Sequence, residues 1–216
     1  SDYAGGKPKF GFFHSEADTF ARIADELGLI RLSGEGEPLK YCRHPLVYLV
    51  EAADDICYQL MDLEDAYKLK LLTRDETINL MLRFVEEERR GRVAETFELV
   101  TDGNEQIAYL RSKVIGVLID ACAETFVAHE EEILAGTFVG SLVKCTHARC
   151  RDAYAHCTDV AVKRIYRSRD VLDIELAGFR IINTLIELMI DAVTHPEKAY
   201  SQLLIDRVSE QYDIKA

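Results

Sequence analysis

The sequence predicts an all-α protein, and three observations support this fold class. Glycine and proline are scarce, because 12 Gly and 4 Pro in 216 residues make up about 7% of the chain, where average usage would give roughly 12%. Apolar residues recur at helical spacings of three and four. The one stretch with any strand character is residues 9–13. The length also suffices for one large domain with a sizeable core.

The first half of the chain contains clear signals for helix ends. Ser15 followed by Asp18 resembles a capping box, which opens an amphipathic helix that ends at Gly28. Residues 33–38 contain Ser, Gly and Pro and are predicted to form a loop. A helix over about residues 45–68 follows, since the proline at its start fits the first helical turn, where its missing N–H costs no hydrogen bond.

Three more helices are predicted by the same signals. A capping box that begins at Thr73 opens a helix that continues to Gly91. A long helix covers about residues 105–129, where apolar residues recur at spacings of three and four. Ser168 precedes a further helix over about residues 170–194, which ends before a His-Pro pair.

Charge and composition exclude several classes of protein. Lys and Arg total 26 against 38 Asp and Glu, so the formal net charge is −12; this acidity argues against a general nucleic-acid coat, although a local basic site is compatible with it. No apolar run approaches the roughly 18–20 residues of a membrane span, and the first residues lack the apolar segment of a secretory signal. We therefore expect a cytoplasmic protein that does not bind membranes.

The six cysteines point to the same compartment. They include no CxxC pair and no regular spacing, so reduced thiols are expected, with Cys57 buried in an apolar stretch. A zinc site formed by the Cys and His residues between positions 145 and 157 is disfavoured, because their spacing matches no known zinc motif.

The helix predicted over residues 45–68 carries a stripe of polar side chains. At about 100° per residue, five polar residues fall within about 80° of one another. This polar stripe consists of Glu51, Asp54, Tyr58, Asp62 and Asp65. The apolar residues occupy a separate arc and are expected to face the core. They are Leu46, Leu49, Val50, Ala53, Ile56, Cys57, Leu60 and Leu63.

Two interpretations of the polar stripe follow from the residues alone. It is either an ordinary solvated acidic face or part of a binding site. Like charges at helical spacing repel each other, and no Lys or Arg lies on the stripe, so a cation or a hydroxyl-rich ligand would relieve the repulsion. A lone helix supplies too few ligands for a tight metal site, however, and no histidine lies at a suitable spacing.

Four runs of the sequence resemble one enzyme family. The run HPLVYLVEAADDICYQLMDLEDA, the upstream run KFGFFHSEADTFARIADELGL, and the downstream runs ILAGTF and VAVKRIYRSRDVLDIELAGFRIINTLIEL occur here in the family's order. They are similar to the deoxyguanosinetriphosphate triphosphohydrolases, a branch of the HD-domain phosphohydrolases. The resemblance implies a multi-helix HD-type fold, with residues 1–216 forming the C-terminal helical portion.

The resemblance also implies an activity and a set of site residues. The expected enzyme converts a deoxynucleoside triphosphate, dGTP above all, to deoxynucleoside and tripolyphosphate with a divalent metal ion such as Mg²⁺ or Mn²⁺. Asp54 matches a metal ligand of the family. Tyr58 matches a tyrosine that packs on the deoxyribose, and Asp62 matches an acceptor of the 3′-hydroxyl. Lys9 resembles a lysine near the phosphates.

Two residues of the helix region near the C-terminus match the family's base pocket. Tyr166 corresponds to an aromatic residue that stacks at the base of the nucleotide. Glu175 corresponds to a residue near that base. The residues themselves leave Glu175 open: it lies about 80° or more from the other polar residues of its helix, which predicts burial among Leu172, Phe179 and Ile182. A first-turn glutamate favoured by the helix dipole is the other interpretation.

The chain departs from the family pattern in one respect. It contains no His-Asp dipeptide, whereas the family has a histidine and a His-Asp doublet upstream of the KFGFF segment. The resemblance therefore implies that the chain contains one of the four metal ligands and no general acid or base, so that this portion alone is inactive. The alternative is a non-catalytic helical module for oligomerisation or nucleotide sensing.

Partners are implied by the same resemblance. A homo-oligomer is expected, and single-stranded DNA or a second deoxynucleotide is a possible effector. Lys163, Arg164, Arg167 and Arg169 form the densest basic cluster of the chain. This cluster would bind a triphosphate or single-stranded DNA, or it is solvated surface. His44, beside the helix start, is expected to cap the helix or to pack.

Overall fold

A computed structural model describes residues 11–208 of the chain, and within that range the protein is all-α, as predicted. The described part contains ten α-helices. Their bounds are α1 Ala17–Glu26, α2 Pro45–Lys68, α3 Arg74–Leu82, α4 Glu87–Leu99, α5 Gly103–Ala128, α6 Glu130–Leu134, α7 Leu142–Cys145, α8 Ala148–Val160, α9 Arg169–Thr194 and α10 Ala199–Ile205. A 3-10 turn precedes α1, and a π-helical turn, Ala161–Ile165, follows α8.

The chain divides into two compact units, and the division falls between Lys163 and Arg164. In the first unit, α5 packs along α2, with α3, α7 and α8 around them. Leu60 and Leu63 of α2 and Leu110 and Leu118 of α5 are fully buried between these helices. Each such leucine contributes about 1.5–3 kcal/mol through removal of its surface from water. This contact fixes the helix that carries the polar stripe.

The second unit contains α9 and α10, which contact each other through the buried residues Ala192 and Ser201. The predicted helix over residues 170–194 is confirmed as α9. Ser168 precedes it as expected, but its hydroxyl forms no capping hydrogen bond. No helix within residues 11–208 is long and apolar enough to cross a membrane.

Two predictions about helix ends are wrong. The capping box at Ser15 is absent; instead the backbone N–H of Phe13 donates to the Glu16 carboxylate at 2.9 Å. The helix predicted from Thr73 to Gly91 is two helices, α3 and α4. Residues 86–92 include no apolar side chain that could face the core, so the chain turns after the buried Val85.

The remaining expectations for local structure are mostly confirmed. Thr73 does open α3 with a capping box: its N–H donates to Glu76 Oε2 at 2.7 Å. Asp102 caps the long helix α5 by accepting from the N–H groups of Asn104 and Glu105 at 2.9 and 3.0 Å. In the stretch with strand character, residues 11–13 are not a strand, and residues 9 and 10 lie outside the described range.

Candidate functional site

Helix α2 has the extent that the sequence predicts. It begins at Pro45 and ends at Lys68. His44 is its N-cap residue, as expected, because the Nδ1 atom accepts a hydrogen bond from the Leu46 N–H at 3.2 Å. Helix α8 reaches α2 through two polar contacts one turn apart, in which Tyr154 donates to the Asp55 carbonyl at 3.1 Å and Thr158 to Gln59 Oε1 at 2.7 Å.

The core-facing side of α2 is rotated from the predicted one. The buried residues are Tyr48, Ala52, Ile56, Gln59, Leu60, Leu63 and Ala66. Of the eight residues that the pattern assigned to the core, Ile56, Leu60 and Leu63 are buried. The other five are exposed: Leu46, Leu49, Val50, Ala53 and Cys57. Neighbouring helices decide this: α8 packs on the side of Gln59, so the apolar side chains on the far edge of the arc remain uncovered. The prediction for Cys57 and its apolar neighbours on that edge is therefore wrong.

The polar stripe lies on the surface of the first unit. Asp54 and Tyr58 are exposed, and Asp62 is half-buried. The three residues follow one another at intervals of four, so their Cα atoms rise about 6 Å per step along the helix. A ligand lying along α2 would meet a carboxylate, an aromatic ring and a second carboxylate in turn.

The charges of the stripe are partly neutralised within the protein. Arg43, from the segment before α2, forms a bidentate ion pair with Glu51, with nitrogen–oxygen distances of 2.6 and 2.7 Å. Lys68 lies 3.6 Å from Asp65. Within residues 11–208 the structure gives Asp54 no hydrogen bond or ion pair. Asp54 therefore has a carboxylate that can accept an external ligand without first giving up a partner.

A groove of about 1010 Å³ adjoins the first half of the stripe. Helix α1, the segment 39–44 and the first turns of α2 line it, and Asp54 and Cys57 face into it. Its aromatic side chains include Phe12 and Phe20, whose ring centroids are 4.2 Å apart in a stacked arrangement. The groove thus combines apolar walls with a few charged groups, which is the usual make-up of a small-molecule site.

Metal-binding capacity within the described residues is limited. No group of three or more His, Cys, Asp or Glu side chains there is close enough to hold a metal ion. Cys150 and Cys157, which belong to the disfavoured zinc hypothesis, are buried, and burial raises the pKa of the Cys157 thiol to about 12. Asp54 fits the role of a single oxygen ligand, because its carboxylate is exposed and faces the groove.

The predicted residues outside α2 have different environments. Tyr166 lies directly after the π-helical turn and is 42% exposed. Glu175 is exposed in α9, and so are Leu172, Phe179 and Ile182, so the predicted burial of this carboxylate is wrong. Among residues 164–208, α10 is the helix that packs on α9, and Leu172, Glu175, Phe179 and Ile182 are exposed there. Lys9 lies outside the described residues.

Sequence reasoning missed two features of the site. The π-helical turn before Tyr166 has no simple residue signature, although such turns occur often at functional sites. Arg43 lies before the helix, so the helical periodicity that defines the stripe does not indicate its pairing with Glu51. Its position two residues before the helix start, within reach of the second turn, was the available signal.

Comparison with known proteins agrees with this helix architecture. A deoxyguanosinetriphosphate triphosphohydrolase-like protein of Pseudomonas aeruginosa is 32% identical over 189 residues, which cover 86% of this chain and 40% of the relative. A protein of the same description from Synechocystis sp. is 33% identical over 82% of this chain and 38% of its own length. By this similarity the chain belongs to the deoxyguanosinetriphosphate triphosphohydrolase family.

The similarity to the triphosphohydrolases extends over nearly the whole chain. A deoxyguanosinetriphosphate triphosphohydrolase of Yersinia enterocolitica is 26% identical over 222 residues, which cover 96% of this chain and 41% of the relative. No protein-family model matches the chain. The chain spans about 40% of the length of the curated triphosphohydrolases that it matches.

Proposed function

We propose that the protein to which this chain belongs hydrolyses deoxynucleoside triphosphates, with dGTP preferred, to deoxynucleoside and tripolyphosphate. The observation that carries the proposal is the row of Asp54, Tyr58 and Asp62 on successive turns of α2, with Asp54 facing the groove. Membership of the triphosphohydrolase family supports it. The row offers a metal ligand, an aromatic surface for a sugar and a hydroxyl acceptor in the order in which a nucleotide would need them.

Each residue of the row has a chemical role in this proposal. Asp54 would supply one oxygen ligand to a divalent metal ion, Mg²⁺ or Mn²⁺, and the bound ion would provide Lewis-acid activation of water. The ring of Tyr58 would pack against C2′ of the deoxyribose, where a 2′-hydroxyl would lose hydration without gaining a matched partner. The Asp62 carboxylate would accept a hydrogen bond from the 3′-hydroxyl.

The family resemblance assigns nucleotide contacts to three further residues. Lys9 would contact the phosphates, since an ammonium group is a point charge suited to a triphosphate. Tyr166 would stack near the base. Glu175 would lie beside the base, and a carboxylate accepts the N–H groups that guanine presents, which favours dGTP. We further propose a cytoplasmic homo-oligomer, with single-stranded DNA or a deoxynucleotide as its effector.

The proposal predicts the effect of removing the Asp54 carboxylate. In the complete protein, Asp54→Asn should reduce metal-dependent release of tripolyphosphate by about 10³-fold or more, because a first ligand of the catalytic ion is lost. Asp65→Asn is the matched control, since Asp65 lies on the same stripe but pairs with Lys68; it should change the rate less than about threefold. Product analysis by anion-exchange chromatography with Mg²⁺ and Mn²⁺ measures both.

Two outcomes would contradict the proposal. Normal turnover by Asp54→Asn would remove Asp54 from the metal site. Absence of hydrolysis by the wild-type complete protein with all four deoxynucleoside triphosphates, together with tight nucleotide binding by calorimetry, would instead favour a nucleotide-sensing module.

A further inference from the structure

Helix α8 forms two hydrogen bonds with a single turn of α2. The Tyr154 hydroxyl donates to the backbone carbonyl of Asp55 at 3.1 Å, and the Thr158 hydroxyl donates to Gln59 Oε1 at 2.7 Å. The Thr158 hydroxyl also lies 3.0 Å from the Tyr154 carbonyl, so it is anchored to its own helix. Together these four residues form the α2–α8 network.

The network meets α2 beside the proposed metal ligand. In an α-helix the N–H of residue 59 donates to the carbonyl of residue 55, so both bonds from α8 reach one backbone turn. Asp54 directly precedes this turn. A backbone carbonyl moves with its helix, whereas a side-chain acceptor can change rotamer, so the bond from Tyr154 acts on the position of the helix itself. A displacement of the turn would therefore move Asp54.

Packing against neighbouring helices holds α2 in the core, and the network adds a different kind of contact. Leu60 and Leu63 of α2 are fully buried, but hydrophobic burial is non-directional. The residues that α8 buries are all small, namely Cys150, Ala153 and Cys157. Small side chains form shallow ridges, which interlock weakly with another helix. The hydrogen bonds therefore give the contact of α8 with α2 a defined distance and direction.

Gln59 is buried although a polar side chain costs stability at its position. The residue is 6% exposed, and within residues 11–208 its Nε2 atom has no hydrogen-bond partner. A buried amide with one end unpaired costs free energy, which a methionine of similar shape would avoid. Buried polar contacts instead specify one arrangement of packed elements. Gln59 thus points to a requirement for position rather than for stability.

We propose that Tyr154, Gln59 and Thr158 are positioning residues for the reaction proposed above. Their hydrogen bonds hold the turn of α2 next to Asp54 and so fix where its carboxylate meets a metal ion. Several ligands must converge on one ion, and residues that hold a ligand in place affect metal affinity or rate by about 10- to 100-fold. This inference rests on the proposed function for its link to the metal, whereas the holding of the turn concerns the fold alone.

Hydrogen–deuterium exchange in the complete protein, without metal or nucleotide, tests the holding of the turn. Tyr154→Phe removes one hydroxyl and keeps the ring, and Thr158→Val removes the other. Each should accelerate amide exchange in peptides that span residues 55–63 by about fivefold or more, because the turn opens more often. Peptides of α5 that contain the buried Leu110 and Leu118 should exchange as in the wild type.

Two hydroxyl deletions away from the network are matched controls. The Tyr109 hydroxyl accepts from Thr96 at 3.3 Å, and the Thr125 hydroxyl donates to the carbonyl one turn earlier in α5 at 2.7 Å. Tyr109→Phe and Thr125→Val remove the same groups from the same residue types. Exchange over residues 55–63 should be unchanged in both controls. Unchanged exchange there in both network variants would overturn the role of the network.

Kinetics of the complete protein test the link to the metal ion. In Tyr154→Phe, the Mn²⁺ concentration that gives half the maximal rate should rise about fivefold, because Asp54 is held less precisely. The kcat for dGTP should fall about tenfold for the same reason. Tyr109→Phe should match the wild type in both quantities. A wild-type Mn²⁺ requirement in Tyr154→Phe, despite faster exchange, would overturn the link to Asp54.

The double variant Gln59→Met with Thr158→Val separates position from stability. Thr158→Val alone leaves Gln59 Oε1 buried without its donor and should lower the thermal midpoint by about 3 °C or more. Adding Gln59→Met removes the unpaired amide and should restore the midpoint to within about 1 °C. The raised Mn²⁺ requirement should persist. Its recovery together with the midpoint would show that the network contributes only stability, which overturns the proposal.

The two proposals fail in different ways. If the wild-type complete protein hydrolyses no deoxynucleotide, the proposed function fails, while exchange over residues 55–63 still decides whether the network holds the turn. If the protein hydrolyses dGTP and the network variants keep the wild-type Mn²⁺ requirement, the link of the network to Asp54 fails alone.

Discussion

Four carboxylates follow one side of α2, and each has a different environment. Glu51 is paired with Arg43, and Asp65 lies near Lys68. Asp62 is half-buried, whereas Asp54 is exposed toward the groove. Their shared spacing in the sequence therefore conceals distinct chemistry. A carboxylate without a partner is available to a metal ion, while a carboxylate in a bidentate pair maintains geometry.

Tyr58 leads to a prediction about sugar discrimination. Its ring is 66% exposed, one turn beyond Asp54, and in the proposed site it covers C2′ of the deoxyribose. Tyr58→Ala should raise the ratio of kcat/KM for GTP over dGTP by about tenfold or more, because the surface that excludes a 2′-hydroxyl is lost. Tyr58→Phe is the control and should retain the discrimination, since the ring remains. Parallel assays with the two nucleotides measure the ratio, and an unchanged ratio in Tyr58→Ala would refute this role.

The ends of the helices are determined in two ways, some by local capping residues and others by tertiary contacts. The capping box at Thr73 and the proline at the start of α2 are formed by neighbours in sequence, and both are present in the structure. The end of α3 depends instead on burial of Phe84 and Val85. Residues 86–92 are charged apart from Gly91, so a continuous helix would have gained no further burial from them. The chain instead turns after the buried Val85.

The capping box of α3 predicts a stability effect. Thr73 donates from its N–H to Glu76 Oε2 at 2.7 Å, and its hydroxyl oxygen accepts from the Glu76 N–H at 3.3 Å. Thr73→Ala should lower the free energy of unfolding of the first unit by about 1 kcal/mol. Urea denaturation followed by circular dichroism at 222 nm measures it. Thr101→Ala, at an exposed position before α5, is the control and should change the midpoint little; equal losses in both variants would contradict the capping assignment.

In the molecule as a whole, the described part of the chain forms two compact units. The first unit has its own core between α2 and α5. Within residues 11–208, metal-ligating side chains do not gather in groups of three. The matched triphosphohydrolases are about two and a half times as long as the aligned region.

The 216-residue chain by itself should not turn over deoxynucleotides. If Asp54 is the one metal ligand of this chain, as proposed, Mn²⁺ binding should be weak and dGTP hydrolysis should stay at the rate of a blank, because catalytic ions in proteins are held by several ligands. Calorimetry with Mn²⁺ and a tripolyphosphate assay check both statements. The complete protein is the positive control. A metal-dependent rate from the 216-residue chain would show that its own residues form a functional centre.

Local sequence patterns predict the fold class, the extent of α2 and α9, the His44 cap and the polar stripe. These features depend on residues a few positions apart, where helical geometry relates sequence directly to space. The family was equally visible in the run from His44 through Asp65, and the relatives confirm it. The roles assigned to individual site residues remain predictions.

Contacts between segments determine which side of α2 is covered, where α3 ends and that Arg43 pairs with Glu51. The apolar arc of α2 is wider than its neighbours can bury, so the approach of α5 and α8 selects the buried part and leaves Val50 and Cys57 exposed. The groove is likewise formed by α1, the segment 39–44 and α2 together. Contacts between segments far apart in sequence follow no fixed residue spacing. The packing of the folded chain determines them, and a local sequence pattern does not predict them.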